Sequence, residues 1–554
     1  MKTGAVLGTF SLAPDGIWWQ AMMAVAAALL LLLSFPPFDL NFLAWVALAP
    51  LLAVLARGIR PGRAFWLGWL MGLEFTFFAE NWIAHSMTHF GEMLSVAAYA
   101  VALLFAAILA VFPGLFAAMT AALVRQWGLR AIALSPIVWV ATEWLRPWVT
   151  GVTWNALGVS QYRYFSIAKL AQVGGVAMIG AELAAGSALV ILLLNIWKSG
   201  RKSGVAKIAV ALVVVATLGF LFAGSQRPAE SAAGIRVSAI GVQPNLPPAS
   251  TDTGRDLENN IALTRQALER APGRRADLII WAESPLALFY ESDLLVRERL
   301  DRLAGELRGH LLLNAMTRTE GPNAGGSSDR YYNSIQIVSP DPGKEPKPLK
   351  RYDKIRLVPF GEYVPFNAVL KHIVPRVISS DSGGFSAGRE AVVNQIRLEP
   401  KVAISLDQEA AIERTTDYLR VGSFICYEAA YPDLVRQFVR NGATVLVNVS
   451  NDAWFGNTGG AKQHLAHAVM RAIENDRDIF RVTNAGISAL LTGDGRIVDP
   501  LPLFTAGTMR WEAQSRRSLT FYARHGDWFA TACAIAALAL LGLLFLRKNA
   551  ENPR

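Results

Sequence analysis

The chain has 554 residues, a formal net charge of +10 and only two cysteines. Hydrophobic residues make up 53% of it before its 45 glycines are counted, and charged residues make up 17%. Soluble domains hold roughly 45–50% apolar residues with glycine included and roughly 25% charged residues, so this composition excludes a disordered chain, a collagen-like chain, a disulfide framework and an ordinary soluble enzyme.

Long apolar runs fill the first 224 residues. A helix that crosses a bilayer needs about 20 mostly apolar residues. By this criterion we predict seven spans, at 17–35, 40–56, 64–84, 94–123, 131–146, 165–197 and 206–224. An eighth transmembrane helix is predicted at 528–546. The chain is therefore predicted to consist of a membrane domain at 1–224, a different domain at 225–527, this eighth helix and a cytoplasmic tail at 547–554.

Basic residues in the short loops indicate how the spans are oriented. Cytoplasmic loops of membrane proteins carry an excess of Lys and Arg. The loop between the second and third spans contains Arg57, Arg60 and Arg63, whereas the loops at 36–39 and 86–93 contain neither Lys nor Arg. The pattern predicts a cytoplasmic N-terminus and places the domain after the seventh span outside the cytoplasm. The positive charge is therefore attributed to topology, and no nucleic-acid partner is expected.

Between the seventh and eighth spans, short apolar runs alternate with charged turns that contain glycine and proline. Alternating polarity and β-branched residues predict a strand at 235–243. Further strands are predicted at 276–281, 310–315, 333–338, 419–425, 443–449, 482–491 and 495–498. Helices are predicted at 257–270 and 460–475, and strands interleaved with helices favour an α/β domain. The polar region 380–420 is predicted to be an insertion.

Three residues with reactive side chains lie in or just after these elements. Glu283 directly follows the strand at 276–281, where partial desolvation suits a general base. Lys354 lies in a basic and aromatic stretch, and its charge could stabilise a thiolate or a developing oxyanion. Cys426 follows a later strand, and Cys533 falls within the eighth span, so a disulfide between them is not expected. Taken singly, each has an ordinary explanation: a solvated glutamate, a surface basic patch and an inert buried thiol.

Taken together, these residues resemble the carbon–nitrogen hydrolase, or nitrilase, superfamily. The resemblance rests on their order and on the surrounding segments WAESP, YDKIRLVPFGEYVP and ICYE. A nitrilase-like domain between seven spans and one span is similar, more narrowly, to the apolipoprotein N-acyltransferase family of the bacterial inner membrane. Further matching segments lie at 142–146, 243–245, 331–333, 451–456 and 471–475. The interval between Lys354 and Cys426 is long for the superfamily, and the insertion would supply the excess.

The resemblance implies an αββα sandwich outside the cytoplasm, a polytopic membrane domain and a two-step acyl transfer. Cys426 would be the nucleophile that carries a thioester, Glu283 the general base, and Lys354 the group that stabilises the oxyanion. Supporting positions implied by the same resemblance are Glu362, which would orient Lys354, and Tyr427 and Glu428, which flank the nucleophile.

The same resemblance implies the partners and the location. The acyl donor would be a glycerophospholipid, and the acceptor would be the α-amine of the diacylglyceryl-cysteine of an apolipoprotein, in the last step of lipoprotein maturation. Contact with membrane lipid is expected, no cofactor and no metal are required, and a monomer is expected. The protein would be a multi-pass protein of the bacterial inner membrane with its catalytic domain in the periplasm.

Two other functions stay open from the residues alone. A membrane-anchored amidase or nitrilase could use the same three residues to hydrolyse a small C–N substrate, with water in place of the amine. A transporter or scaffold could keep them as a vestige, although their intact order argues against this.

Four further side chains have two interpretations each. Trp454 and Phe455 suit either a lipid-facing loop that meets the substrate or a packed aromatic turn. His464 and His467 lie three residues apart on a predicted helix, and a structural role is expected for them rather than metal binding.

Overall fold

The computed structural model describes residues 16–199, 234–248, 252–270, 275–283, 289–319, 329–359, 361–363, 384–398 and 417–551, together with Val210 and Val214. The described chain divides into two compact units. The first lies within Met1–Pro228, Phe455–Met470 and Thr520–Arg554, and the second within Ala229–Trp454 and Arg471–Leu519.

The α-helices of the described residues, in chain order, are α1 (Ile17–Ser34), α2 (Ala49–Leu55), α3 (Pro61–Ala79), α4 (Trp82–His89), α5 (Ser95–Leu109), α6 (Val111–Trp127), α7 (Ser135–Thr150), α8 (Phe165–Ala168), α9 (Ala171–Ser199), α10 (Thr253–Glu269), α11 (Leu294–Leu307), α12 (Pro432–Arg440), α13 (Gly460–Asn475), α14 (Phe521–His525) and α15 (Trp528–Glu551).

The first unit is helical and contains apolar helices of membrane-spanning length. In the described part of the chain, four stretches are long and apolar enough to cross a membrane: Ile17–Ser34, Ser95–Trp127, Ala171–Trp197 and Trp528–Arg547. They correspond to the spans predicted at 17–35, 94–123, 165–197 and 528–546. The structure therefore supports a membrane protein with several apolar helices, and the number eight stays a prediction.

The remaining predicted spans differ from single long helices. The run at 40–56 contains a 3-10 turn at Asn41–Trp45 followed by α2, and the run at 131–146 likewise contains a 3-10 turn followed by α7. Pro50 and Pro136 lie in the first turns of α2 and α7. Proline is favoured in the first turn of a helix and disfavoured farther along it, because it has no N–H to donate to the carbonyl of the preceding turn.

The predicted span at 64–84 corresponds to α3, which ends at Ala79 before the short helix α4. The predicted span at 206–224 lies outside the described residues apart from Val210 and Val214. The structure thus confirms that the N-terminal region is apolar and helical. The predicted number of spans stays a prediction.

The second unit is built on two six-stranded sheets. Its strands are β1 (Arg236–Gln243), β2 (Leu278–Trp281), β3 (His310–Thr319), β4 (Arg330–Val338), β5 (Tyr352–Asp353), β6 (Val393–Arg397), β7 (Tyr418–Ile425), β8 (Val445–Ser450), β9 (Ile479–Thr483), β10 (Ser488–Leu491), β11 (Ile497–Leu501) and β12 (Gly507–Gln514). The first sheet has the order β12-β1-β2-β3-β4-β5 and the second the order β11-β10-β9-β8-β7-β6.

The centre of each sheet is parallel, and this places reactive residues at strand ends. β1, β2 and β3 run parallel in the first sheet, and β7, β8 and β9 run parallel in the second. Side chains that directly follow such strands lie at the carboxyl edge of the sheet, where α/β proteins place their chemistry. Glu283 follows β2 and Cys426 follows β7, so each lies at such an edge.

The sheets pack together and carry helices on their outer faces. Gly241 of β1 leaves room for Val482 of β9, since a Cβ at Gly241 would lie 3.0 Å from Val482 Cγ2. One buried cluster joins β1, β2 and β3 to α10 and α11. On the other sheet, α12 contributes Phe438, whose ring lies 6.4 Å from that of Phe424 in β7. This arrangement is the predicted αββα sandwich.

Two predictions about strands are wrong. The run predicted as one strand at 482–491 belongs to two antiparallel strands, β9 and β10. In the turn between them, Gly486 packs so closely against the buried Asp452 that a Cβ there would collide with it. The region 380–420 is not simply an insertion, since its residues Val393–Arg397 form the edge strand β6, which pairs with β7.

A buried ion pair in the second unit predicts a loss of stability on neutralisation. Arg471 Nε lies 2.7 Å from Glu474 Oε2 and Arg471 Nη2 lies 2.8 Å from Glu474 Oε1, and both side chains are buried. Glu474→Gln would leave the guanidinium buried without the charge that faces it. We expect the free energy of unfolding to fall by about 3–5 kcal/mol, measured by denaturant unfolding of the full chain in detergent.

The exposed pair of Arg302 and Glu298 provides the matched control. It has the same Nη2–Oε1 distance, 2.8 Å, but side chains that are 70% and 69% exposed. Glu298→Gln is expected to change the free energy of unfolding by less than about 1 kcal/mol, because water screens the pair. If Glu474→Gln and Glu298→Gln lowered the free energy of unfolding equally, burial of the ion pair would not be the cause of the loss.

Candidate active site

Glu283 has its carboxylate held by donors from three other segments. Its Oε1 accepts a hydrogen bond from Asn333 Nδ2 at 2.9 Å and lies 3.4 Å from Lys354 Nζ. Its Oε2 accepts from the backbone N–H of Asn451 at 2.9 Å. The residue is 8% exposed. These contacts fix the orientation of both oxygens in a nearly dry environment.

Lys354 is buried between two carboxylates. It follows β5 and is 1% exposed, and its Nζ lies 2.7 Å from Glu362 Oε1 in addition to its contact with Glu283. Burial alone would lower the pKa of Lys354, but the carboxylates of Glu283 and Glu362 outweigh burial and raise it. The side chain is therefore an ammonium ion throughout the neutral pH range.

Asn333 of β4 joins the two carboxylates, and sequence analysis gave it no role. Its Nδ2 donates to Glu283 Oε1 and, at 3.0 Å, to Glu362 Oε1. Its Oδ1 accepts from Asn314 Nδ2 at 2.6 Å, and this bond fixes which end of the amide faces the carboxylates. The sequence carried one sign of this role: Asn333 is a polar residue within β4, a strand that is buried from Asn333 onward.

Cys426 lies at a sharp turn directly after β7. Its φ of +49° is in the left-handed region, which costs a non-glycine residue about 1–3 kcal/mol and persists only where the surrounding structure holds it. Burial raises the pKa of the Cys426 thiol, the carboxylate of Glu283 raises it further, and Lys354 only partly opposes this. The resting residue is therefore a protonated thiol, and a base would be needed to convert it to a thiolate.

Glu428 connects the turn at Cys426 to the segment that carries Lys354. It is fully buried, and its Oε2 accepts from the backbone N–H of Ile425 at 2.7 Å. Its Oε1 accepts from the Tyr352 hydroxyl at 2.7 Å and from the backbone N–H groups of Ile355 and Arg356 at 2.7 and 3.0 Å. Both carboxylate oxygens therefore accept hydrogen bonds, from the end of β7 and from the segment 352–356.

The other predicted positions have simpler surroundings. The ring of Tyr427 packs edge-on against Tyr431, with centroids 5.2 Å apart. Trp454 is 40% exposed, whereas Phe455 is only 7% exposed. Phe455 packs edge-on against Trp82 at 4.9 Å within the first unit, so it is a packed aromatic residue and not a lipid-facing one.

The two histidines of α13 are packed side chains. His464 and His467 are buried, and their rings lie 5.8 and 4.7 Å from that of Trp154. Among the residues that the structure describes, no group of three or more His, Cys, Asp or Glu side chains could hold a metal ion.

Two family profiles cover the chain. The apolipoprotein N-acyltransferase N-terminal domain matches residues 27–189, within the helical first unit. The carbon–nitrogen hydrolase family matches residues 236–518, the part that contains both sheets.

Full-length relatives agree with these profiles. A protein of Geobacter metallireducens named apolipoprotein N-acyltransferase is 31% identical over 539 residues, which are 96% of each chain. A protein of the same name from Azotobacter vinelandii is 32% identical over 97% of this chain and 96% of its own. Another from Allorhizobium ampelinum is 30% identical over 95% of this chain and 97% of its own. With this similarity along its whole length, the chain belongs to the apolipoprotein N-acyltransferase family.

Proposed function

We propose that the protein transfers a fatty acyl group from a glycerophospholipid, through a thioester on Cys426, to the α-amine of the N-terminal diacylglyceryl-cysteine of apolipoproteins. The observation that carries this mechanism is the buried cluster of Glu283 and Lys354, whose charges act on the Cys426 thiol at a turn of positive φ. The reaction is the last step of lipoprotein maturation in the bacterial inner membrane.

The domain boundaries and orientation belong to the same proposal. A membrane domain at 1–224 with seven spans and an eighth span at 528–546 would hold the catalytic domain, 225–527, on the periplasmic side, with the tail 547–554 in the cytoplasm. The supports are the alternation of Lys and Arg in the loops and the apolar helices of the first unit. Both substrates are anchored in the bilayer, so an enzyme held there meets their ester and amine. A single chain suffices for the site, and we propose a monomer.

In the first half-reaction, Glu283 takes the proton of Cys426 as sulfur attacks the ester carbonyl of the phospholipid. A C–S bond forms, and the carbonyl oxygen becomes an oxyanion. Lys354 and the backbone N–H of Tyr427 stabilise this charge. The C–O bond to glycerol then breaks, Glu283 returns its proton to the departing alkoxide, and lysophospholipid leaves an acyl thioester on Cys426.

In the second half-reaction, the α-amine of the acceptor attacks the thioester carbonyl. Glu283 takes a proton from the amine, the oxyanion is stabilised as before, and the C–S bond breaks. The sulfur leaves as a thiolate that recovers a proton from Glu283, so the product amide departs and the thiol is restored. No redox step occurs, and every proton that Glu283 accepts is returned within the same half-reaction.

The flanking residues act by positioning. Glu362 holds the Lys354 ammonium at 2.7 Å, and its Oε2 accepts from the backbone N–H of Val358 at 2.8 Å, which fixes the carboxylate itself. Glu428 holds the turn of Cys426 in register with the segment after β5. Trp454, which is partly exposed, is proposed as a contact for lipid substrate.

Substitution of the nucleophile tests the covalent mechanism. Cys426→Ala is expected to abolish acyl transfer, and Cys426→Ser to lower it by at least about 10³-fold, because an alkoxide is much harder to form than a thiolate. Intact-protein mass spectrometry after incubation with phospholipid and no acceptor should show a hydroxylamine-sensitive acyl adduct on the wild type alone.

Two results would count against this proposal. Full activity in either Cys426 variant would exclude the thioester. Hydrolysis of short amides by the wild type without lipid, at a rate comparable to acyl transfer, would favour the amidase alternative.

The hydrogen bonds of Glu428 predict an effect on kcat rather than on KM. In Glu428→Gln, the amide NH₂ would face either the N–H of Ile425 or the donors at Tyr352, Ile355 and Arg356, so one side of the contact is lost. We expect kcat to fall about 100-fold with KM for phospholipid nearly unchanged, because the nucleophile is displaced while the substrate contacts remain.

Tyr352→Phe is the control, since it removes one donor to Glu428 and creates no conflict between donors. Its kcat is expected to fall less than about 10-fold. A Glu428→Gln enzyme with wild-type kcat and a raised KM would assign Glu428 to substrate binding instead.

The raised pKa of Cys426 predicts how alkylation depends on pH. A free cysteine ionises near pH 8.5. Burial and the Glu283 carboxylate hold the Cys426 pKa above that value, so the thiolate fraction should still be rising at pH 9. We expect the rate of carbamidomethylation by iodoacetamide, followed by peptide mapping at Cys426, to increase through pH 9. A rate that is flat between pH 6 and 9 would show a thiolate already formed at rest.

A further inference from the structure

An open hollow in the first unit is surrounded by arginine side chains. It lies between the start of α3 and the end of α6, two helices that pack against each other in antiparallel directions, since Gly68 meets Ala117 and Gly72 meets Ala110. The described residues that line it are Gly58, Ile59, Arg60, Gly62, Arg63 and Arg125. Three of these six are arginines, and none is acidic.

The arginines are arranged around the hollow in different ways. Arg125, in the last turn of α6, donates from Nη1 to the backbone carbonyl of Gly58 at 3.1 Å, which fixes its guanidinium beside the hollow. Arg60 and Arg63 are exposed at the start of α3. Arg57 stacks 4.4 Å above the ring of Trp19 and adds a further positive charge nearby. The surface therefore favours an anion.

An exposed aromatic side chain extends the surface in an apolar direction. Trp66 lies three residues after Arg63 on α3, one turn farther along the helix, and is 63% exposed. Residues at this spacing share one face of a helix. In membrane proteins, tryptophan is enriched at the membrane–water interface, where lipid headgroups meet acyl chains. A tryptophan one turn along the helix from a cationic end is typical of that position. The surface suits an amphipathic ligand better than free inorganic phosphate.

The hollow is far from the end of α3 that bears the segment Phe455–Met470. At about 1.5 Å per residue, the 19 residues of α3 separate its two ends by about 28 Å. At the far end, the backbone carbonyl of Ala79 accepts from Gln463 Nε2 at 2.8 Å. The arginines are therefore on the opposite end of the helix from the segment that follows Trp454.

We propose that this hollow binds the headgroup of an anionic phospholipid, with the phosphate held by Arg60, Arg63 and Arg125 and an acyl chain lying along Trp66. Guanidinium groups match phosphate in charge and in geometry, and basic pockets between membrane helices recognise anionic headgroups in this way. The lipid here is a bound ligand and not an acyl donor, and the proposal does not depend on the reaction mechanism.

Lipid binding to the full-length protein tests this inference. The background is Cys426→Ala, so that lipid is not consumed, and the probes are nanodiscs of phosphatidylcholine that contain increasing phosphatidylglycerol. We expect native mass spectrometry to show one retained phosphatidylglycerol per chain, and Arg60→Gln with Arg63→Gln to weaken its binding about 30-fold. Arg130→Gln is the matched control, since Arg130 is exposed nearby, bonds to the Trp127 carbonyl and does not line the hollow.

Each other outcome overturns the proposal. If the double variant loses no more affinity for each charge removed than Arg130→Gln does, the arginines act only through general charge. Displacement of the lipid by inorganic phosphate or glycerol phosphate at similar concentration would show a simple anion site. Acyl transfer from phosphatidylethanolamine, measured with Cys426 intact, should be unchanged in the double variant, and its loss would place these arginines in the path of the donor.

Discussion

The contact of the Lys354 ammonium with the carboxylates of Glu283 and Glu362 constrains the rest of the second unit. A buried charge costs several kcal/mol unless other charges and hydrogen bonds compensate it. Here β4 supplies the Asn333 amide, the segment after β8 supplies the Asn451 N–H, and the segment after β5 supplies Lys354 itself. The two sheets must therefore be correctly paired before these charges can be buried with their partners.

The same constraint explains why so many polar contacts around Cys426 involve backbone groups. Glu428 accepts from three backbone N–H groups, and Glu283 accepts from a fourth. Backbone donors cannot change rotamer, so they hold a carboxylate more rigidly than flexible side chains do. Rigid placement of this kind lets a site stabilise charge without reorganising at the moment of reaction.

Sequence patterns predicted the site residues that are recognisable from their neighbours in the chain. They did not predict the residues whose role depends on contacts with residues far away in sequence. Glu283 and Cys426 end apolar strands, a pattern visible within ten residues. The contact of Asn451 with Glu283 joins positions 168 apart in sequence, and nothing local indicates it. The edge strand β6 was hidden in a polar stretch, because an edge strand has fewer neighbours that require apolar side chains. The segments around Pro50 and Pro136 are as apolar as a transmembrane span, but each consists of a 3-10 turn followed by a helix and not of one continuous helix.

The proposed mechanism has one base, Glu283, for both half-reactions, and it assigns Glu428 to positioning because both of its oxygens accept hydrogen bonds from neighbouring groups. In that mechanism Glu283 could accept a proton from water as well as from an amine, so the base does not by itself prevent hydrolysis of the thioester. An amine is the stronger nucleophile, and exclusion of water around Lys354 and Cys426, which are 1% and 9% exposed, adds to this preference. Fidelity thus depends in part on packing, and mutations that loosen the core should raise hydrolysis of the thioester relative to acyl transfer.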